Sequence, residues 1–475
     1  MSSAAVEQDA RPVAAEPASQ DRYWLLLFRK NGLELLVANK RPPFTLPCVE
    51  IPRWERPAEN LTSVVKKRFG IPAVCLFTPS STSADAKSSP PLYQLLETRS
   101  PHTNAPHGML WLPVNSLSAQ SLAHNHDFTI LATSLRQLQD FQSGERRGPF
   151  AKLGWIEEIS SWLQHAVAPH GFHLTGEFRQ LNASPTFALL RFETNSQALW
   201  FKAVDEPNLR EFPISVLLSR LFPGRVPRVI ATHSTWHAWV TEECPGSTLE
   251  ELSNDEAWEV AAKSLATLQI ESLDSIVALL ETGCRDLRIP SLLDQVGPFL
   301  EVMEQLMKGQ KTATVPILSP GEIRQLGTAI SAALLALAQL EIPDTLGHLD
   351  FNPGNVLLSR DQCVVLDWCE AYVGNPLFTL EYLNAHLLRT RPANPILHSS
   401  VSASYTKKWG GYLDVRRLAK ARRLSPMLAV FAYALSLDDW RDPRQLDQVR
   451  AAYFRSLTRR MYAEHLRVVR QEAPC

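Results

Sequence analysis

No Cys-x-x-Cys pair occurs in the 475 residues; the seven cysteines, Cys48, Cys75, Cys244, Cys284, Cys363, Cys369 and Cys475, are odd in number and scattered. That pattern excludes a disulfide framework and a zinc knuckle, and reads as the reduced thiols of a cytoplasmic protein. An excess of charge of one sign is lacking too. With 48 Lys and Arg against 49 Asp and Glu, the formal net charge is -1, which supports neither a nucleic-acid partner nor a membrane surface. Glycine is sparse, 20 residues against 34 prolines, so many turns are rigid. No apolar run reaches the roughly 20 residues that a spanning helix needs. The most apolar helical stretch, Ala329 to Leu340, carries Ser331 and Gln339 and reads as a core helix. The opening MSSAAVEQDARPVAAEPASQD lacks the basic start and apolar centre of a secretory signal.

What is present is an ordinary globular composition, 45% hydrophobic and 20% charged. At roughly 100 to 200 residues per domain, the length predicts about two to four domains. Residues 1–20 are Ala, Pro, Ser and Glu without apolar periodicity, the composition of a disordered tail. From Tyr23 the run YWLLLFRKNGLELLVANK predicts two strands joined at Asn31-Gly32, a dipeptide suited to a hairpin turn. Leu61 to Phe69 has helical spacing and stops at Gly70; VCLF and LYQLLET then read as strands split by the polar loop PSSTSADAKSSPP. These elements form a small α+β domain over 21–145, and the charged, turn-forming GERRGP at 144–149 marks its boundary. His124 and His126, in the polar run AHNHD, read as solvated loop residues.

The order hairpin, loop, helix ending in Gly-Ile, strand resembles the Nudix fold. Its box reads Gly, five residues, Glu, seven residues, Arg-Glu-apolar-x-Glu-Glu-x-Gly-apolar. With the last glycine on Gly70, the first falls on Val49, the isolated glutamate on Glu55, and the carboxylate-rich core on Ser63-Val64-Val65-Lys66-Lys67-Arg68. Divalent-metal hydrolysis needs carboxylate oxygens there, and Lys67 and Arg68 would repel Mg²⁺. The resemblance therefore implies a Nudix-like domain without catalysis.

From Trp155 onwards the spacing of Trp155, Ile159, Trp162 and Leu163 predicts a helix, strands follow near Phe187 to Phe192 and Leu199 to Val204, and helices fill the rest. Strands early and helices late predict an α+β fold, not a doubly wound sheet. The informative stretch is LGHLDFNPGNVLLSRDQCVVLDWCEAYVGNP, Leu346 to Pro376, which holds His348-x-Asp350-x4-Asn355 and then Asp367. Phosphoryl transfer to a hydroxyl needs two metal-holding ligands near the phosphates and a carboxylate to orient the attacking oxygen. NVLL and VVLD read as paired strands, with Ser359 to Gln362 turning between them, which would bring Asn355 and Asp367 to one mouth where Mg²⁺ accepts oxygens from both.

The stretch resembles the aminoglycoside phosphotransferase and choline kinase group of the protein-kinase-like superfamily, over roughly residues 150–475. The resemblance implies a two-lobed kinase-like domain that uses ATP and Mg²⁺ to phosphorylate a small-molecule hydroxyl. It implies Asp350 as catalytic residue, His348 as buttress of the catalytic loop, and Asn355 and Asp367 as Mg²⁺ ligands. Upstream, the strand Ala198-Leu199-Trp200-Phe201-Lys202-Ala203-Val204 carries one lysine, and the resemblance places Lys202 on the nucleotide phosphates. Its carboxylate partner is Glu211, which opens the helical run EFPISVLLSRLF, or Glu206. Ser184 lies in Gln180-Leu181-Asn182-Ala183-Ser184-Pro185-Thr186, the expected phosphate loop, which has no glycine. Trp239 to Gly246 ends a strand as the expected hinge, with Glu242 and Cys244 on the adenine edge. Gly374-Asn375-Pro376 stands where the group has Gly-Asp-Pro, a structural position.

Arg416, Arg417, Lys420, Arg422 and Arg423, and later Arg455, Arg459, Arg460, Arg467 and Arg470, make the C-terminal helices basic. A polycationic aminoglycoside would fit them poorly. The reading is an O-phosphotransferase acting on a small hydroxylated metabolite. The rival is a pseudokinase-like protein that binds nucleotide or another ligand for regulation. A protein kinase is disfavoured because no DFG glycine follows Asp367. The sequence leaves the acceptor, ATP against GTP, and the oligomeric state open.

Overall fold

The computed structural model describes residues 20–29, 32–53, 56–79, 91–311, 314–360 and 362–472. The tail up to residue 19, Asn31 of the hairpin turn, Glu55, the loop over 80–90, Asp361 and Cys475 lie outside the described residues. The chain divides into two compact units, residues 1–209 with 229–243, and residues 210–228 with 244–475. The boundary expected at 144–149 falls inside the first unit.

In chain order the first unit carries β1 (Gln20–Arg29), β2 (Glu34–Ala38), β3 (Cys48–Pro52), α1 (Pro57–Phe69), β4 (Ala73–Cys75), β5 (Leu92–Thr98) and β6 (Met109–Pro113). There follow α2 (Asn125–Ser143), α3 (Trp155–Val167), β7 (Leu174–Ala183), β8 (Ala188–Thr194) and β9 (Leu199–Ala203). After α4 (Glu211–Leu221), a part of the second unit, the chain returns with β10 (Val229–His233) and β11 (Ala238–Glu242).

One sheet has the order β4-β5-β1-β2-β6, with β3 also on β1; β1 and β5 run parallel and the other pairs antiparallel. β1 explains the apolar run of the sequence: Leu25 to Phe28 are all fully buried, because both faces of this central strand are covered. Leu25 and Leu27 join a cluster with Leu61 and Val65 of α1, while Leu26 and Phe28 point the other way. α1 ends at Gly70 as the sequence predicts, and begins four residues earlier than expected, with Pro57 in its first turn, where a missing N–H is harmless.

The second sheet, β10-β11-β9-β8-β7, is antiparallel throughout. It shares a core with the first. Leu26, Phe28 and Phe141 lie in one cluster with Phe150, Trp155, Ile159, Leu190, Phe201 and Val240. The GERRGP turn is bolted to this core: a Cβ on Gly148 would sit 2.5 Å from the Phe141 ring, Phe150 N donates to Pro185 O at 3.1 Å, and Arg147 pairs with Asp205 at 2.8 Å. Four residues of the expected phosphate loop need correction: Gln180 to Ala183 belong to β7, because strand pairing with β8 extends to Ala183↔Ala188. The turn that remains is 184–187.

The second unit adds β12 (Ser247–Thr248), α5 (Glu256–Glu271), α6 (Ile276–Glu281), β13 (Arg285–Leu287), α7 (Ile289–Lys308), α8 (Pro320–Ala338), β14 (Thr345–His348), β15 (Val356–Leu358), β16 (Cys363–Val365) and β17 (Ala371–Gly374). It closes with α9 (Leu377–Thr390), α10 (Pro395–Trp409), α11 (Val415–Ser436) and α12 (Gln448–Glu472). Two short sheets, β12-β15-β16 and β13-β17-β14, lie among these helices. α8 is the predicted core helix, with Ile330, Ala333, Leu334 and Leu337 buried. Ser319 and Glu322 form a capping box that fixes its start. Among the described residues no helix is long and apolar enough to cross a membrane.

Candidate active site

β14 runs buried as far as His348, where it pairs with β17. Gly347, just before, has no room for a Cβ because the Tyr372 ring lies against it. The chain then turns sharply. Asn352 N donates to Asp350 O at 2.8 Å, and Asn352 Oδ1 accepts from Gly354 N at 2.9 Å, an Asx turn that leads into Asn355. β15 and β16 pair as predicted, Val356 opposite Val365, and Leu366 N donates to Asn355 O at 2.8 Å. The hairpin thus sets Asn355 against Leu366, next to Asp367. Asp367 adopts φ +61, a left-handed conformation rare outside glycine and tolerated best by Asn and Asp.

His348 ties the two loops together. Its Nδ1 accepts from Asp350 N at 3.0 Å and its Nε2 donates to Leu366 O at 3.0 Å, an arrangement that requires the neutral ring with the proton on Nε2. Burial pushes the imidazole pKa below its ordinary value, against the pull of the Asp350 charge, so the neutral form is favoured. His348 N donates to Thr379 Oγ1 at 2.9 Å, anchoring the strand end to α9.

The Asp350 carboxylate receives three donors: Asn352 Nδ2 and the Tyr382 hydroxyl reach Oδ1, each at 3.0 Å, and Asn355 Nδ2 reaches Oδ2 at 3.3 Å. Asn355 Nδ2 also donates to Asp350 O at 3.0 Å. With its amide NH₂ turned to Asp350, Asn355 keeps its carbonyl oxygen on the opposite side, the end of the side chain that suits a cation. Glu370 adds a further acid. Burial pushes its carboxyl above the usual carboxylate range; Arg285, with Nε 3.5 Å away, opposes this, and the charges of Asp350 and Asp367 reinforce it. Arg285 and Arg210 both pair with Asp438. An amide carbonyl and a carboxylate at adjoining hairpin ends, in a region of crowded negative charge, are the hard donors that fit Mg²⁺.

Of the sequence-predicted residues, Asp350, His348, Asn355 and Asp367 are therefore gathered in the second unit. That unit also holds Glu211, 2% exposed at the start of α4, and Cys244. Lys202 lies on β9 of the first unit, opposite Leu189 and Trp239, with Nζ 5.7 Å from the Trp239 ring centre. Glu242 ends β11, and its neighbour Glu243 accepts from Nε and Nη2 of Arg191, each at 2.8 Å. Ser184 Oγ accepts from Thr186 N at 3.3 Å, and Glu206 is exposed. Asn375 caps the start of α9, its Oδ1 accepting from Leu377 N at 3.0 Å, the structural part expected at that position. His124 and His126 open α2 beside the rings of Trp24 and Tyr93.

Sequence reasoning missed four residues around the carboxylate: Asn352, Glu370, Thr379 and Tyr382. Asn352 was readable from Asn-Pro-Gly, a turn signal within the motif. Tyr382 and Thr379 lie some thirty residues on and carry no local signal. Several of the C-terminal arginines tie helices to their neighbours: Arg417 pairs with Glu341, Arg422 donates to Ser402 Oγ and Arg459 donates to Gln310, and Arg450 also pairs with Asp439.

Residues 201–391 match the family described as the phosphotransferase enzyme family. No curated protein matches the chain. Solved structures similar to it include a macrolide 2'-phosphotransferase from Brachybacterium faecium, 16% identical over 63% of this chain and 96% of that one, with a TM-score of 0.40. A choline/ethanolamine kinase family protein from Mesorhizobium loti is 16% identical over 66% of this chain and 99% of that one, with a TM-score of 0.44. A choline kinase from Cryptosporidium parvum is 12% identical over 66% and 96%, with a TM-score of 0.45.

Proposed function

We propose that the protein is a kinase-like, two-lobed O-phosphotransferase that moves the γ-phosphoryl group of ATP to a hydroxyl of a small molecule. The observation that carries this reading is the carboxylate of Asp350, held by Asn352 and Asn355 on a loop whose backbone His348 pins at Asp350 N, beside the adjoining hairpin ends of Asn355 and Asp367. The family match over 201–391 supports the reaction class.

In this reading the acceptor hydroxyl donates to Asp350, which aims its oxygen at the γ-phosphorus. The new O–P bond forms as the β–γ bridge breaks, ADP leaves, and the hydroxyl proton passes to the Asp350 carboxylate. Asn355 and Asp367 would hold Mg²⁺, which supplies charge neutralisation of the phosphates when bound. His348 keeps both loops in place. Lys202 is assigned to the nucleotide phosphates with Glu211 or Glu206 as its partner, Ser184 to a phosphate, and Glu242 and Cys244 to the adenine edge.

The N-terminal part is proposed as a Nudix-like module without hydrolase chemistry. Lys67 and Arg68 stand where that chemistry needs acids, and Arg68 donates to Cys48 O at 3.0 Å. The cytoplasm is its proposed location.

Asp350→Ala is expected to abolish turnover, measured as ADP released in the presence of Mg²⁺ and a panel of hydroxyl compounds, while calorimetry gives an ATP affinity within about twofold of wild type. A variant that turns over at the wild-type rate would remove Asp350 from the mechanism. Saturable nucleotide binding with no turnover in the wild type would favour the regulatory, pseudokinase-like reading, to which the short glycine-free turn over 184–187 lends support.

A further inference from the structure

An ionised carboxylate offers about four lone-pair positions, two on each oxygen. On Asp350 three are taken: Oδ1 accepts from Asn352 Nδ2 and from Tyr382 OH, and Oδ2 accepts from Asn355 Nδ2. Oδ1 is therefore full, and one position remains on Oδ2.

The three donors are not equivalent. Asn352 and Asn355 belong to the same loop as Asp350 and travel with it. Tyr382 comes from α9, 32 residues along the chain, and fixes the carboxylate to the helical body of the unit. Its ring is held in turn: it packs at 5.8 Å from the ring of Tyr433 on α11, whose hydroxyl accepts from Tyr453 OH of α12 at 2.9 Å. The His386 ring lies 5.1 Å away on its own helix. Burial, and then the charge of Asp350, push the phenol pKa up, so Tyr382 keeps its proton and remains a donor.

The terminal torsion of an aspartate is broad and nearly two-fold, so nothing in the side chain itself tells one oxygen from the other. A donor anchored outside the loop does. We propose that Tyr382 is a positioning residue: by engaging Oδ1 it presents Oδ2 to the acceptor hydroxyl. This inference rests on the phosphotransfer reading and deepens it, because it says which oxygen takes the proton. Misplacing a reacting group by an ångström costs up to about a hundredfold in rate, so a freed carboxylate is expected to show in turnover.

Tyr382→Phe keeps the ring and its packing and removes the donor. With the acceptor unidentified, water serves as the probe acceptor: Mg²⁺-dependent ATP hydrolysis is measured with Mg-ATP affinity for wild type and variant. Thermal unfolding is measured for wild type, Tyr382→Phe, Asp350→Ala and the double variant. The expected result is a rate lowered about tenfold with Mg-ATP affinity within twofold of wild type. The fall in Tm caused by Tyr382→Phe should largely vanish in the Asp350→Ala background, which a phenol acting other than through Asp350 would not produce, while the lowered rate at unchanged Mg-ATP affinity separates positioning from a purely structural bond. An unchanged rate, or an equal fall in Tm in both backgrounds, overturns the positioning role while leaving phosphotransfer standing. A wild-type protein that neither binds Mg-ATP nor hydrolyses it overturns the phosphotransfer reading and the positioning role with it.

Discussion

A buried carboxyl is stable only where its charge is satisfied or its proton retained, and Glu97 on β5 is such a case. It is 7% exposed and accepts from Gly154 N, at the start of α3, at 2.8 Å. Burial is the largest influence and pushes its pKa up to about 7; the Gly154 bond opposes this and Glu157 adds to it. A carboxyl with a raised folded-state pKa binds more protons in the native than in the unfolded protein between its two pKa values. Stability therefore falls as pH rises from the ordinary carboxylate range to about 7, then levels off. Glu97→Gln keeps an acceptor for Gly154 and removes the charge. It is expected to stabilise the protein at pH 8 by on the order of 1–3 kcal/mol and to do little at pH 4, as read from urea unfolding at the two pH values. At this scale the site was partly legible. His348, Asp350 and Asn355 stand within eight residues, so covalent spacing fixes their neighbourhood. Tyr382, Thr379 and Glu97 act through tertiary packing, which spacing does not encode.

Among elements, the join between β4 and β7 is the instructive one. β4 is an edge strand of the first sheet and β7 an edge strand of the second, and such edges expose unpaired backbone groups. Gln180 of β7 closes one of them: its Oε1 accepts from Cys75 N at 2.8 Å and its Nε2 donates to Cys75 O at 3.0 Å, so a side-chain amide completes the ladder of β4. Around this buried link, α1 lies on β7 with Glu59 paired to Arg179 and Lys66 to Glu177. Those ion pairs are exposed and contribute little, so the glutamine is the stronger tie. Gln180→Ala strands two buried backbone groups and is expected to cost about 2–4 kcal/mol, measured as a lower midpoint in urea unfolding with unchanged slope. A loss below about 0.5 kcal/mol would mean that water replaces the amide. The sequence led elsewhere here: a glycine-free polar stretch between two strands suggested a phosphate loop, because polarity marks a hydrogen-bonding side chain without saying what it bonds. The hairpins and α1 were legible because their period and their stops agree, and α3 and part of α8 from apolar spacing alone, α8 beginning at Pro320, nine residues before the stretch expected from Ala329.

At the scale of the molecule, the apolar patterns predict mixed α and β content, and the structure has it, with β12 to β17 set among the helices of the second unit. Composition does not foretell that Phe28 and Phe141 on one side of the 144–149 turn share a core with Phe150, Trp155 and Phe201 on the other. A charged, turn-forming run reads as a linker, yet Gly148 and Phe150 hold this one down. The placement of Asn355 and Asp367 in the second unit was legible because strand pairing between β15 and β16 carries the two residues to adjoining ends, and that pairing follows from two apolar runs and a turn.

In the proposed function Asn355 and Asp367 would hold a divalent cation on a nucleotide, and Asp350 would then act on the acceptor. Calorimetric titration of ATP into the full chain, with and without Mg²⁺, for the wild type and for Asp367→Ala, tests it most directly. Saturable binding that requires Mg²⁺ is expected, weakened at least about tenfold in the variant, a difference of about 1.4 kcal/mol. Equal binding with and without Mg²⁺, or equal binding by Asp367→Ala, would contradict it.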